Sequence, residues 1–411
     1  MYKNISPGKN GMYKGMEVWE MKTKVTRLLL LPFLLFLPLS AHAEAKEMKE
    51  AKVKLADEAK SAILIERDTG KVLYEKNAHE PLPPASMTKI MTMLLIMEAI
   101  DEGKLSYDEK VRASEYAASM GGSQIFLEPG EEMTVDEMLH GIAIGSANDA
   151  SVAMAEQIAG SEEAFVEMMN KKAKQLGLKN THFANATGLP AEHHYSSAYD
   201  MAMMARELLK YEDITKYTSK YEDYLRENTD KKFWLVNTNR LVKFYPGVDG
   251  LKTGYTAEAK YCLTATAKKN GMRVIAVVFG APTPKSRNAQ ITKMLDYAFS
   301  QYRTHQVYKR NETVARVNIS KGKRSSVEAV TSESVSVLTK KGQSVEQIEK
   351  VIKVKDNVKA PVRKGDELGV LILKQDGKEI LHSPIVAKQT VEEASFWDLF
   401  KRVFGRFVQV G

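Results

Sequence analysis

Between Ile90 and Ile100 nearly every position is apolar, and Ile90, Met91, Met93, Leu94, Leu95, Met97 and Ile100 fall around the whole circumference of a helix. A helix patterned in that way is buried on all sides. Pro83 and Pro84 keep the preceding chain extended, so the pattern predicts a helix beginning at Ser86. Val135 to Ile144 and Asp149 to Ala159 predict two more helices, with Ser146-Ala147-Asn148 as the loop between them. Phe165, Met168, Met169 and Leu176 predict the apolar side of an amphipathic helix whose Glu162, Glu163 and Glu167 form a solvated face. Strand-like runs bracket this helical middle. Ala62 to Glu66 and Lys71 to Tyr74 flank the turn Asp68-Thr69-Gly70, and Leu251 to Gly254, Tyr261 to Ala267 and Arg273 to Phe279 follow, the last two joined by Asn270-Gly271. The ordering predicts a mixed α/β domain, an antiparallel sheet packed against helices.

After Ser300 the pattern changes. Val314 to Ile319, Val327 to Val337, Val351 to Val354, Leu368 to Leu373 and Ile380 to Val386 are short, valine-rich and partly alternating, with turns at Lys321-Gly322 and Asp376-Gly377, which predicts a small all-β domain. The chain then closes on Phe396, Phe400, Phe404 and Phe407 at helical spacing. Trp397, Leu399, Val403 and Val408 widen the apolar side, and Lys401, Arg402 and Arg406 lie between them. Such a helix is too short to span a bilayer and suits its interface. At the other end, Lys22, Lys24 and Arg27 precede the apolar run Leu28 to Leu37, and Ala41-His42-Ala43 supplies small residues for cleavage, the pattern of a secretory signal peptide. The expected organisation is therefore a non-native extension from an early start at 1–20, a signal peptide at 21–43, a tether at 44–55, a mixed α/β domain at 56–303, an all-β domain at 304–391 and an amphipathic membrane-associating helix at 392–411.

With 411 residues the chain is long enough for two domains. Its single cysteine, Cys262, excludes an intramolecular disulfide, and its place in a strand-like run makes it a buried small hydrophobe. The formal net charge of +8 fits an anionic membrane surface; no nucleic-acid motif accompanies it. His193-His194 beside Glu192 lack the spacing of a metal site and are read as loop residues, so neither metal nor cofactor is expected.

Ser86 and Lys89 stand at i and i+3 at the head of the apolar helix, on one face and roughly 4.5 Å of rise apart. Burial lowers a lysine pKa towards a neutral amine able to take a serine proton. Alone, S-x-x-K is better explained by an N-cap serine beside a snorkelling lysine, since the pattern recurs by chance in any long chain. Two further motifs follow in order, however: Ser146-Ala147-Asn148, and Lys252-Thr253-Gly254 after Gly247-Val248-Asp249-Gly250. This ordered set is the signature of class A β-lactamases and penicillin-binding proteins. From about Ala56 onward the chain resembles the low-molecular-mass penicillin-binding proteins, specifically the serine-type D-alanyl-D-alanine carboxypeptidases.

The resemblance implies that 56–303 is a serine transpeptidase-like catalytic domain and 304–391 a stalk, and it implies the roles. Ser86 attacks the carbonyl between two terminal D-alanines of a peptidoglycan stem peptide, Lys89 acts as base, Ser146 passes the proton towards the leaving amine, and Asn148 binds the substrate's peptide group. Backbone N–H groups of Ser86 and Tyr255 form the oxyanion hole; many relatives carry histidine where Tyr255 stands. Lys252 and Thr253 suit a C-terminal carboxylate, and Gly254 lets a peptide approach the strand edge. β-Lactams are expected to acylate the same serine, outside the cytoplasm. Three rivals stay open: an endopeptidase acting on cross-links, a β-lactamase, and a non-catalytic wall-binding protein. Glu167 and Asn170 do not have the E-x-x-x-N spacing that a class A β-lactamase needs.

Overall fold

Strand β1 (Ser61–Glu66) is buried at every position, and its alternation divides the catalytic domain into two cores. Ala62 and Leu64 meet Ile291, Met294, Leu295 and Ala298 on one face of the sheet. Ile63 and Ile65 meet the helical core on the other. A computed structural model describes residues 2–3, 53–343 and 348–398. The expected signal peptide, the tether as far as residue 52 and the C-terminal helix beyond Asp398 lie outside the described residues.

β1 forms a hairpin with β2 (Val72–Lys76). The remaining strands come from the far end of the domain: β3 (Val248–Thr256), β4 (Lys260–Lys269) and β5 (Met272–Ala281). The order is β2-β1-β5-β4-β3, with every neighbour antiparallel, so the first and last strands of the domain pair at the centre and β3 is left at an edge. Helix α1 (Lys89–Asp101) runs through the helical core, fully buried from Lys89 to Met97 as its unbroken apolar pattern requires. Each such aliphatic side chain taken out of water contributes ~1.5–3 kcal/mol.

The expected helix from Val135 to Ile144 is two structures. Helix α2 (Val135–His140) starts from a capping box between Thr134 and Glu137, then widens into a π turn, Gly141–Gly145, that ends on Ser146 with φ +63°. Both glycines meet close neighbours there. A Cβ on Gly141 would stand 3.0 Å from Ile125 Cγ2, and one on Gly145 2.9 Å from Leu235 Cδ2. Helix α3 (Asn148–Ala159) begins on the motif's asparagine, and α4 (Ala198–Leu208) and α5 (Pro284–Gln301) cover the two faces of the sheet. Two expectations for the helix Glu162–Gln175 are corrected. Met168 is exposed, and Glu162 is buried, because its carboxylate accepts from Tyr116 Oη at 2.7 Å and Ala186 N at 2.9 Å.

The all-β part has a sheet ordered Glu349–Lys355, Glu367–Gln375, Lys378–Ala387, Ser326–Thr331, Thr313–Asn318, with Tyr2–Lys3 added at the first edge. A separate pair joins Tyr302–Tyr308 to Val335–Lys340. The single run expected from Val327 to Val337 is thus broken at residues 332–334 and serves both sheets. Val317, Val327, Leu371 and Ile385 are among its core. Polar contacts bind it to the catalytic domain: Ser336 Oγ donates to Asp68 Oδ2 at 2.5 Å, and Arg206 pairs with Glu333 at 3.0 Å. At its end Ser395 caps a helical turn through Asp398, with Phe396 and Trp397 exposed.

Candidate active site

Ser86 sits in a 3₁₀ turn, Ala85–Thr88, that runs directly into α1, one residue earlier than the sequence pattern predicts. Ala85 holds φ +47°, a left-handed conformation that a residue with a Cβ adopts only where its surroundings enforce it. Gly188 presses on the same peptide group: a Cβ there would stand 1.9 Å from the Ala85 carbonyl oxygen, and its own φ is +86°. From beneath, Thr88 Oγ1 donates to that oxygen at 2.8 Å.

Lys89, the next residue, is completely buried. Its Nζ donates to Asn148 Oδ1 at 2.6 Å and to the Thr187 carbonyl at 2.6 Å, and lies 3.3 Å from Ser86 Oγ. Burial, with the charge of Lys252 added, pushes its pKa well below the usual lysine range; the buried Asp149 carboxylate opposes this. Asn185 holds the loop that presents Thr187, its Oδ1 accepting from the backbone N–H groups of Thr187 and Gly188 at 3.1 and 2.7 Å.

The three motifs come together but divide their labour by depth. Ser86, Ser146, Thr253, Gly254 and Tyr255 line an open cleft of about 960 Å³. Lys89, Asn148 and Lys252 lie buried outside that lining. Asn148 is committed to the framework, with Oδ1 on Lys89 and Nδ2 donating to the Gly121 carbonyl at 2.6 Å. This departs from the expectation of an asparagine aimed at substrate. Ser146, by contrast, reaches the cleft because its positive φ turns the chain out of the π turn.

On β3, Lys252 is buried with its Nζ 3.3 Å from the Thr253 carbonyl, and burial plus the nearby Arg287 lowers its pKa to about 7. Thr253 Oγ1 donates to Thr238 Oγ1 at 2.7 Å. Gly254 has a different job from the one its sequence suggests. A Cβ there would stand 2.7 Å from the Pro84 carbonyl oxygen and 3.1 Å from Ala85 Cβ, so the glycine lets β3 lie against the turn that carries Ser86. Tyr255 is exposed and stacks on Tyr261, ring centroids 4.5 Å apart.

Sequence reasoning missed the cleft's cations, Arg240, Lys285 and Arg287. Arg287 lies in the first turn of α5, near Pro284 and behind the N-cap Thr283, a start signal legible in the sequence, although nothing there ties that helix end to the cleft. Thr187 and His194 were also missed, the first because it acts through its backbone. Cys262 is fully buried, and burial pushes its thiol up to about 11. Among the described residues no group of three or more His, Cys, Asp or Glu is placed to hold a metal ion.

The chain has relatives in sequence and in fold. Residues 46–283 match the family described as D-alanyl-D-alanine carboxypeptidase, and residues 302–393 match the C-terminal domain of penicillin-binding protein 5. The D-alanyl-D-alanine carboxypeptidase DacF of Bacillus subtilis is 68% identical over 376 residues, covering 92% of this chain and 97% of that one. Penicillin-binding protein 5 from Haemophilus influenzae has a crystal structure with a TM-score of 0.63 at 30% identity, covering 83% of this chain and 99% of its own. Penicillin-binding protein D2 of Listeria monocytogenes, in a cefotaxime-bound form, gives 0.54 at 32%, covering 60% and 98%. With a serine, a buried lysine and a lysine-bearing strand gathered around one cleft, and with these relatives, the chain belongs to the D-alanyl-D-alanine carboxypeptidase family.

Proposed function

We propose that the protein removes the terminal D-alanine from peptidoglycan stem peptides through an acyl-enzyme on Ser86. The observation that carries this reading is the environment of Lys89 Nζ. A neutral amine has two N–H donors and one lone pair. Asn148 Oδ1 and the Thr187 carbonyl, each at 2.6 Å, take the donors, which leaves the lone pair for the hydroxyl of Ser86. Ser86 Oγ attacks the carbonyl between the two D-alanines as its proton passes to Lys89. The N–H groups of Ser86 and Tyr255 receive the oxyanion. Collapse of the tetrahedral intermediate breaks the C–N bond, with a proton delivered to the departing amine by way of Ser146, and water then hydrolyses the ester.

The cations of the cleft support a substrate with a free C-terminal carboxylate. Thr253 and Arg287 line it together, and Lys252 backs them. β-Lactams, which carry a carboxylate at the equivalent place, acylate the same serine. Glu167 is exposed and Asn170 is bonded to the Phe183 backbone, so the two do not form the water-activating pair of a class A β-lactamase, which supports a peptidase over a β-lactamase. An endopeptidase on cross-linked peptide remains the second reading, since its scissile bond is the same D-alanyl linkage. The signal sequence at 21–43 and the aromatic-cationic terminus at 392–411 support export and attachment at the outer face of the cytoplasmic membrane. No helix among the described residues is long and apolar enough to cross a membrane.

Two assays test the reading. Incubation with a D-Ala-D-Ala-terminated pentapeptide releases free D-alanine, while cross-linked dimer is cut more slowly; the reverse preference makes the enzyme an endopeptidase. Ser86→Ala abolishes labelling by a fluorescent penicillin, and persistent labelling would refute the assignment of the nucleophile.

A further inference from the structure

His194, which sequence reading leaves as a loop residue, is buried against the nucleophile's turn. Its Nδ1 accepts from the Ala184 backbone N–H at 3.0 Å, so the neutral ring carries its proton on Nε2. Nε2 lies 2.8 Å from Thr88 Oγ1. The proton of that hydroxyl is already directed to the Ala85 carbonyl at 2.8 Å, so the histidine is the donor to the threonine. Every bond in the series then runs in one direction, from Ala184 N–H to His194, to Thr88, to the Ala85 carbonyl.

The series ends on one particular peptide group. The carbonyl of Ala85 and the N–H of Ser86 belong to the same planar unit, and in a trans peptide they point in opposite directions. Fixing the carbonyl from inside the domain therefore aims the N–H the other way, towards the oxyanion. A donor on the carbonyl also polarises the peptide and strengthens its N–H as a donor. This is the same peptide that Gly188 presses upon and that follows the strained φ of Ala85, so it needs an external restraint.

We propose that His194 is a positioning residue for acylation, acting through Thr88 to orient and polarise the Ala85–Ser86 peptide whose N–H stabilises the oxyanion. The proposal rests on the acyl-enzyme reading of Ser86. Its surroundings keep the ring in the required form. Burial, with His182 as its ionisable neighbour, lowers its pKa to about 4, and the Phe183 ring packs edge-on with centroids 5.9 Å apart. A second proton would have to sit on Nδ1, facing the Ala184 N–H.

The test is the second-order rate of acylation by a fluorescent penicillin, measured on the whole protein with melting temperatures in parallel. His194→Leu and Thr88→Val each slow acylation at least tenfold. The double variant is no slower than the slower single one, because both cut the same series. His194→Gln, whose amide can both accept from Ala184 and donate to Thr88, stays within about threefold of the parent. For D-alanine release the loss falls on kcat and leaves KM unchanged. Wild-type acylation by His194→Leu, multiplicative losses in the double variant, or a glutamine variant as slow as the leucine one would each overturn the proposal. If His194→Leu fails to fold, Thr88→Val and His194→Gln still decide it, since the first must slow acylation and the second must not. A protein in which Ser86→Ala still labels would instead defeat the acyl-enzyme reading itself.

Discussion

Lys89 Nζ lies 2.6 Å from Asn148 Oδ1 and 3.3 Å from Ser86 Oγ, so the amide is the closer of the two partners. The second motif thus touches the lysine directly: a neutral acceptor at that distance orients the amine while favouring its charged form less than a carboxylate would. Asn148→Asp replaces it by an anion. The substitution raises the pKa of Lys89, so neutral amine forms only at higher pH and the rising limb of the acylation profile moves upward. At neutral pH acylation slows about a hundredfold, as for loss of a general base. Profiles of penicillin acylation against pH check this, and superimposable limbs for the two proteins would exclude it.

Lys252 is buried with a pKa lowered to about 7 from the ordinary 10.5, so the native state binds fewer protons than the unfolded chain between those two values. Stability from this group therefore rises with pH across that window, and the whole penalty is present below pH 7. Lys252→Met removes the penalty. It raises stability at neutral pH by about 1–4 kcal/mol, the range for replacing buried charge with apolar volume, while activity on carboxylate-terminated peptide is lost. Thermal melts at pH 7 and pH 10 provide the check: the advantage of the variant shrinks at the higher pH, and a gap that stays constant would count against burial as the cause.

Periodicity made the scaffold legible. The apolar circumference of α1 and the short, turn-bounded apolar runs of β1 and β5 depend on local order, so the buried helix and the sheet could be read directly. The first and second motifs could be placed on their turns for the same reason. What stayed hidden depends on contacts between segments far apart in the chain. Glu162 looks like one more solvated carboxylate until Tyr116 and Ala186 converge on it. Arg287 reaches the cleft because the start of α5 lines it together with the end of β3, and Thr187 contributes a backbone oxygen that no side-chain motif records. The π turn before Ser146 is likewise invisible in a pattern that reads as continuous helix.

Glu162 gives a prediction remote from the chemistry. Its carboxylate accepts from Tyr116 Oη and from Ala186 N, and Ala186 adjoins Thr187, whose carbonyl holds Lys89. Glu162→Leu removes both acceptors and leaves the buried Ala186 N–H without a partner. Leaving such a buried group unsatisfied costs about 1–3 kcal/mol. The melting temperature falls, and acylation slows several-fold as the 185–189 loop loosens. Unchanged acylation in a destabilised variant would show that the loop is held by Asn185 alone.

Gly254→Ala separates two reasons for a glycine in the third motif. If the residue serves substrate approach, the added methyl raises KM and leaves the free protein untouched. The structure gives the other answer, because the methyl would stand 2.7 Å from the Pro84 carbonyl oxygen and 3.3 Å from the Met87 N, both backbone atoms at the turn that carries Ser86. Neither atom can swing aside like a side chain, so β3 and the turn must part, and overpacking of this kind costs about 1–3 kcal/mol. The parting also separates the two N–H groups proposed to form the oxyanion hole, those of Ser86 and Tyr255, one on each segment. The variant therefore melts lower in the absence of any ligand, and its loss appears in kcat. A normal melting temperature with a raised KM would return the glycine to the role of admitting substrate.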